Sequence, residues 1–138
     1  GILYMEFVSI SVNWHVYFIL ALMFVMVFNL LSVLRVDDYF DLIKRLKVLT
    51  PVFHSLNAVV AYTGGIVAAF SHDLSITVLL MLATSIFVMI LEIKRYKKMR
   101  VIKTAEFEKQ DEFRVFARKI YMMEISAIVF TYVVSKIF

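Results

Sequence analysis

The chain contains the run WHVYFILALMFVMVFNLLSVL, residues 14–34, in which no residue is Asp, Glu, Lys or Arg. A helix rises about 1.5 Å per residue, so about 20 apolar residues cross the roughly 30 Å hydrocarbon core of a bilayer. Comparable apolar runs occupy residues 51–70, 74–93 and 120–138. A segment alone in lipid must satisfy its own backbone hydrogen bonds, which favours helices. The sequence therefore predicts an all-α integral membrane protein, a single domain (residues 1–138) with four transmembrane helices packed as an antiparallel bundle.

The composition supports a membrane protein and excludes several kinds of site. Hydrophobic residues make up 62% of the 138 residues, and there is no cysteine. A soluble domain of this size would expose too much apolar surface to water. Without cysteine there are no disulfides, thiolate metal sites, iron–sulfur clusters or CxxCH haem attachment. The first run lacks a basic n-region and a small-residue cleavage site, which predicts a retained helix.

The basic residues predict the orientation of the bundle. Apart from Lys136, every Lys and Arg lies in residues 35–47 or 94–119. The positive-inside rule then places both segments in the cytoplasm and both termini outside, and we expect a bacterial inner (plasma) membrane. Anionic lipid headgroups are the expected partners, and a homodimer is compatible with so small a bundle. We expect no nucleic-acid partner, because the Lys and Arg residues lie next to the membrane.

The three connections carry different patterns. Residues 36–50 predict a short interfacial helix or an extension of the first span, with Pro51 opening the second. SHDLS, residues 71–75, predicts a tight turn. Residues 94–119 contain neither Gly nor Pro, which predicts helical extensions of spans three and four that form a solvated cytoplasmic hairpin. In span two, a small-xxx-small pattern predicts close packing of a neighbouring helix; its members are Ala61, Gly65 and Ala69.

One group of polar residues lies near the predicted cytoplasmic end of the spans. Glu124 is about one turn inside span four, where a carboxylate is costly unless it is paired, protonated or hydrated. His54 enters at a similar depth from span two, with Asn29 and Asn57 expected nearby. These four residues form a candidate cofactor-binding site or proton relay centred on a His54–Glu124 pair. The alternative is that Glu124 reaches the basic residues just before span four and His54 bonds a backbone carbonyl.

A second polar group lies at the predicted outer end. His15 begins span one, and His72 and Asp73 follow span two. Two imidazoles and a carboxylate are suitable ligands for Zn²⁺, Cu²⁺ or Ni²⁺, which makes these residues a candidate metal site. The alternative is a solvated turn at His72 and Asp73. A haem held by both His15 and His54 is disfavoured, because the two residues lie at opposite ends of their spans.

Two short patches resemble known membrane families. His54 is followed by Tyr62 and by the small patch Thr63-Gly64-Gly65, and a basic, aromatic-rich run leads into Glu124 and the ending Lys136-Ile137-Phe138. This arrangement resembles the four-helix bacterial protoporphyrinogen oxidases and the copper-resistance D membrane domain. The resemblance implies a four-helix membrane fold that handles porphyrin, haem or a transition metal, with His54 and Glu124 at matching positions.

Three functions stay open at this point. The first is a membrane protein that handles porphyrin, haem or a divalent transition metal through His54 and Glu124. The second is a small proton-coupled transporter or channel subunit in which the same two residues line the path. The third is a membrane scaffold whose long basic connection docks a partner protein. Whether the chain is an enzyme is left undecided by the sequence.

Overall fold

The computed structural model describes residues 2–71, 76–102 and 106–137. Within this part of the chain, four helices are long and apolar enough to cross a membrane, which confirms the predicted all-α class and the four spans. Each helix extends beyond the apolar run that predicts it. The helices are α1 (Ile2–Arg35), α2 (Tyr39–Ser71), α3 (Ile76–Arg100) and α4 (Phe107–Ile137).

Contacts between helices show an antiparallel bundle. Each helix packs against two neighbours, in the pairs α1–α2, α2–α3, α3–α4 and α4–α1. In the first half of α1, His15 Nδ1 lies 2.8 Å from Thr63 Oγ1 in the last third of α2. The helices α3 and α4 also run antiparallel. Thr84 Oγ1 in the first half of α3 lies 2.6 Å from Thr131 Oγ1 in the last third of α4. The predicted tight turn between α2 and α3 falls at residues 72–75, outside the described residues.

Arg114 of α4 caps the end of α1. Its Nη1 donates to the carbonyls of Val33 at 3.2 Å and Val36 at 2.7 Å, and its Nη2 donates to the carbonyl of Asp37 at 2.9 Å. The last carbonyls of a helix have no partner within the helix, and they carry the negative end of the helix dipole. One guanidinium therefore completes the end of α1 and fixes α4 against it.

The connection from α1 to α2 differs from the prediction. Residues 36–38 are non-helical, and α2 begins at Tyr39 and continues through Pro51. Residues 39–50 are therefore the first turns of α2, neither a separate short helix nor an extension of the first span. Tyr39 and Leu46 are buried. Their burial offsets the backbone hydrogen bond that a proline inside a helix removes.

The end of α3 and the start of α4 carry a buried face, although most of their described residues are exposed. The solvated cytoplasmic location of this hairpin stays a prediction. The predicted helical extensions are confirmed. In α4, the apolar residues Phe113, Ala117 and Tyr121 recur every four positions and form one buried face. They join a buried cluster that we call the basic-end core. Its members are Val33, Tyr39, Leu42, Leu46, Met99, Phe113, Ala117 and Tyr121.

A second cluster, the central core, lies further along the bundle. Its buried members are Leu22, Val25, Met26, Phe53 and Val88. The small-residue pattern predicted for this helix packing is wrong at Gly65, which is exposed and has open space where a Cβ would be. The close approach is at Gly64, where a Cβ would lie 3.1 Å from His15 Cε1. Helix α1 therefore packs on the neighbouring glycine.

Candidate functional site

A group of charged side chains is buried between the two cores. Glu92 and Arg95 of α3 and Glu124 of α4 each have 0% of their surface exposed, and Tyr121 beside them is equally buried. On α3, Glu92 and Arg95 lie between Val88 of the central core and Met99 of the basic-end core. On α4, Glu124 lies one turn beyond Tyr121, which belongs to the basic-end core. We call these four residues the charged cluster. Fully buried charged residues are rare unless they are paired, so the cluster is the feature that requires an explanation.

Glu92 and Arg95 form a bidentate ion pair within one helix. Arg95 Nε donates to Glu92 Oε1 at 2.6 Å, and Arg95 Nη2 donates to Glu92 Oε2 at 3.3 Å. The spacing of three residues places the two side chains on the same face of α3. Nη2 also donates to Thr50 Oγ1 of α2 at 2.8 Å. The pair therefore links the second half of α3 to the first half of α2, as expected of antiparallel helices.

The remaining side of the guanidinium has weaker partners. Nη1 of Arg95 donates to Met99 Sδ at 3.5 Å, and a thioether sulfur is a weak acceptor. The guanidinium carbon lies 5.5 Å from the centre of the Tyr121 ring, within the range of a cation–π interaction. Arg95 thus keeps a donor group that a second carboxylate is able to use.

Glu124 is buried without a hydrogen bond. Within the described residues, neither of its carboxylate oxygens has a partner. The charged groups that interact electrostatically with Glu124 are Glu92 and Arg95, both on α3. Glu92 already neutralises Arg95, so an ionised Glu124 would leave one net negative charge inside the bundle. An isolated buried carboxylate costs far more than a neutral carboxylic acid, so the geometry favours Glu124 with a bound proton.

These contacts change the interpretation of Glu124 and His54. The alternative in which Glu124 reaches a preceding basic residue is wrong, because Glu124 is fully buried while Arg118 and Lys119 are exposed. His54 is half-buried, with its ring edge-on to Phe53 at 5.5 Å between centres. These two described residues share no hydrogen bond. A joint role for His54 and Glu124 stays a prediction.

The two asparagines of the predicted inner site have different surroundings. Asn57 Nδ2 donates to the Ser85 carbonyl at 3.1 Å, and Ser85 Oγ donates to Asn57 Oδ1 at 3.0 Å. This reciprocal pair joins α2 to α3 and gives Asn57 a structural role. Asn29 is buried in α1, and its Oδ1 has no hydrogen-bond partner in the described part of the chain. Cofactor binding by either residue stays a prediction.

The predicted metal site is only partly within the described residues. His15 bonds Thr63 and packs on Gly64. His72 and Asp73 lie outside the described residues. Among those that are described, no group of three or more His, Cys, Asp or Glu side chains is arranged to hold a metal ion. The site of His15, His72 and Asp73 therefore stays a prediction.

The role of Arg95 does not follow from the basic pattern of the sequence. Arg95 is one of the many basic residues in 94–119 that predict the orientation of the membrane protein. One local signal was available, since Glu92 and Arg95 are three residues apart at the end of the apolar run 74–93. Their burial, however, depends on how α3 is rotated against α2 and α4, which no local pattern records.

Comparison with known proteins gives no match: no family model, no curated protein and no solved structure is similar to this chain. The fold and the site therefore define the class by themselves. The chain is an integral membrane protein, a four-helix bundle with a buried charged cluster of two carboxylates and one guanidinium.

Proposed function

We propose that this chain is a small proton-coupled transporter or channel subunit in which Glu124 takes up and releases a proton. The observation that carries the proposal is the pair of unpartnered carboxylate oxygens on Glu124, beside an ion pair that is already complete. A purely structural ion pair needs only Glu92 and Arg95. A third buried ionisable group adds cost without adding a bond, and such groups inside membranes usually serve transport or proton transfer.

The geometry of Arg95 provides a way to couple the proton to the helices. With a proton on Glu124, Arg95 is bound by Glu92 and Thr50, and its Nη1 faces only the sulfur of Met99. Loss of the proton creates a negative charge that attracts this donor. Arg95 is then shared between Glu92 and Glu124, which changes the contact of α3 with α4. The protonated and deprotonated states thereby favour different packings of the same two helices.

The membrane setting of the site follows the predicted orientation. We place the chain in a bacterial inner membrane with both termini outside, so the charged cluster lies towards the cytoplasmic end of the bundle. The basic segments then face anionic headgroups, and a second copy of the chain is the proposed protein partner. Porphyrin or metal handling and the scaffold role stay predictions, since no contact within residues 2–71, 76–102 and 106–137 favours either.

Replacing Glu124 with Gln is expected to abolish proton flux. The purified protein is reconstituted in liposomes with an imposed pH difference, and the decay of that difference is followed with an entrapped pH-sensitive dye. Wild-type protein should speed the decay, whereas Glu124→Gln should return it to the rate of empty liposomes. Gln has the shape of a neutral Glu but binds no proton, so the fold should persist.

Glu108→Gln is the matched control, because Glu108 lies on the same helix and is exposed. This variant should keep the wild-type flux. Equal flux in Glu124→Gln and wild type, or no flux in the wild type, would contradict the proposal. Helix content measured by circular dichroism confirms that both variants are folded before flux is compared.

A further inference from the structure

A separate pocket of about 220 Å³ opens between the start of α2 and the end of α3. Its polar lining comes from Tyr39 and Lys47 of α2 and from Tyr96 and Arg100 of α3. Ile43 and Met99 supply part of its apolar surface. The pocket lies beside the basic-end core, away from the oxygens of Glu124. None of the three proposed roles of the chain uses it.

Tyr39 forms part of the pocket wall, but its hydroxyl does not face the pocket. The residue is 9% exposed, and its hydroxyl oxygen is fully buried without a hydrogen-bond partner among the described residues. Arg114 is the charged group that acts on this hydroxyl from α4. A ligand in the pocket therefore meets other atoms of Tyr39.

The charges around the pocket indicate that a ligand bound there is an anion. Lys47 and Arg100 lie on different helices, are both exposed, and form no ion pair with a described residue. An ammonium and a guanidinium together match the oxygens of a phosphate group.

We propose that this pocket binds the phosphate headgroup of an anionic phospholipid. Lys47 and Arg100 bind the phosphate oxygens and neutralise the charge from either side. The apolar surface of Ile43 and Met99 suits the glycerol and the start of an acyl chain, which inorganic phosphate lacks. Both helices cross the membrane, so a lipid reaches the pocket from the bilayer without leaving it. Tyr, Lys and Arg are the residues found at the headgroup level of membrane proteins.

The test is lipid retention by the purified full-length chain. The purified protein is mixed in a neutral detergent with equal amounts of phosphatidylglycerol and phosphatidylcholine. Native mass spectrometry then measures the number and type of lipids that stay bound. Wild type should retain phosphatidylglycerol preferentially. The double variant Lys47→Gln/Arg100→Gln should weaken this binding by about tenfold or more. Each basic residue near an anionic headgroup contributes substantially to the free energy of binding.

The control is the double variant Lys44→Gln/Arg45→Gln, which removes two exposed charges from the same helix outside the pocket. It should retain phosphatidylglycerol as wild type does. An equal loss in this control would overturn the proposal, because it would mean that any basic residue suffices. Displacement of the lipid by millimolar inorganic phosphate would also overturn it, because it would identify a site for a free anion. Unchanged binding in Lys47→Gln/Arg100→Gln is the third contradicting result.

Discussion

Replacing Arg95 with Met is expected to lower the free energy of unfolding by about 3–5 kcal/mol, the cost of breaking a buried ion pair by removing one partner. Met matches the length of the Arg stem but leaves Glu92 without a donor and close to a second buried carboxyl, Glu124. The bond from Arg95 to Thr50 is lost as well, so α3 loses a contact with α2. The measurement is unfolding of the purified protein in mixed micelles at neutral pH, with helix content as the signal.

Arg118→Met is the control for this experiment. Arg118 is exposed on α4, and exposed charges contribute little to stability, so the change should stay within about 0.5 kcal/mol of wild type. A similar small effect in Arg95→Met would contradict the account. It would show that the guanidinium does not stabilise the charged cluster.

The double variant Glu92→Gln/Glu124→Gln is expected to lose much more stability than the two single variants together. In Glu124→Gln, Arg95 keeps its ion pair with Glu92. In Glu92→Gln, Glu124 is able to ionise and take over Arg95, so we expect a loss of only about 1 kcal/mol, as for one hydrogen bond. With both carboxylates removed, Arg95 is a buried charge without a counterion, which costs about 3–5 kcal/mol.

A double-mutant cycle measures this exchange of partners as a coupling energy between Glu92 and Glu124. The control cycle pairs Glu92→Gln with Glu108→Gln, where Glu108 is exposed and absent from the cluster. Those two changes should add within about 0.5 kcal/mol. Additive values for Glu92 and Glu124 would mean that Glu124 does not reach Arg95, and the proposed change of partner would then be wrong.

The number and type of helices were predictable because they depend on the length of apolar runs alone. The ends of the helices were not, and Pro51 shows the reason. A local rule places proline at the start of a helix, whereas α2 begins at Tyr39 and passes through Pro51. The residues before Pro51 gain burial in the basic-end core, which consists of residues far apart in the sequence. Tertiary packing therefore overrides the local preference.

The glycines in α2 show how packing selects one position from two neighbours. Successive residues in a helix point about 100° apart, so Gly64 and Gly65 face different directions. The small-residue pattern favoured Gly65, but His15 of α1 packs on Gly64. Which face meets a neighbour is set by the rotation of the whole helix, and that rotation results from many contacts at once.

The candidate site was predictable only in part for the same reason. Glu124 stood out because a carboxylate inside an apolar span is unusual at any rotation of the helix. Its surroundings were not predictable, because His54, Arg95 and Glu92 all lie at similar depths on neighbouring helices. In the structure, Glu124 interacts electrostatically with Glu92 and Arg95. In the sequence, only the spacing of three residues from Glu92 distinguished Arg95 from the exposed basic residues around it.

The protonation of Glu124 is the central claim, and infrared spectroscopy measures it directly. A carboxylic acid and a carboxylate absorb at different frequencies, so the bilayer-embedded protein is recorded at neutral pH as wild type, Glu124→Gln and Glu108→Gln. The account predicts a carboxylic acid band in wild type that persists in Glu108→Gln and disappears in Glu124→Gln. Identical spectra in this region for wild type and Glu124→Gln would show that Glu124 holds no proton and would contradict the account.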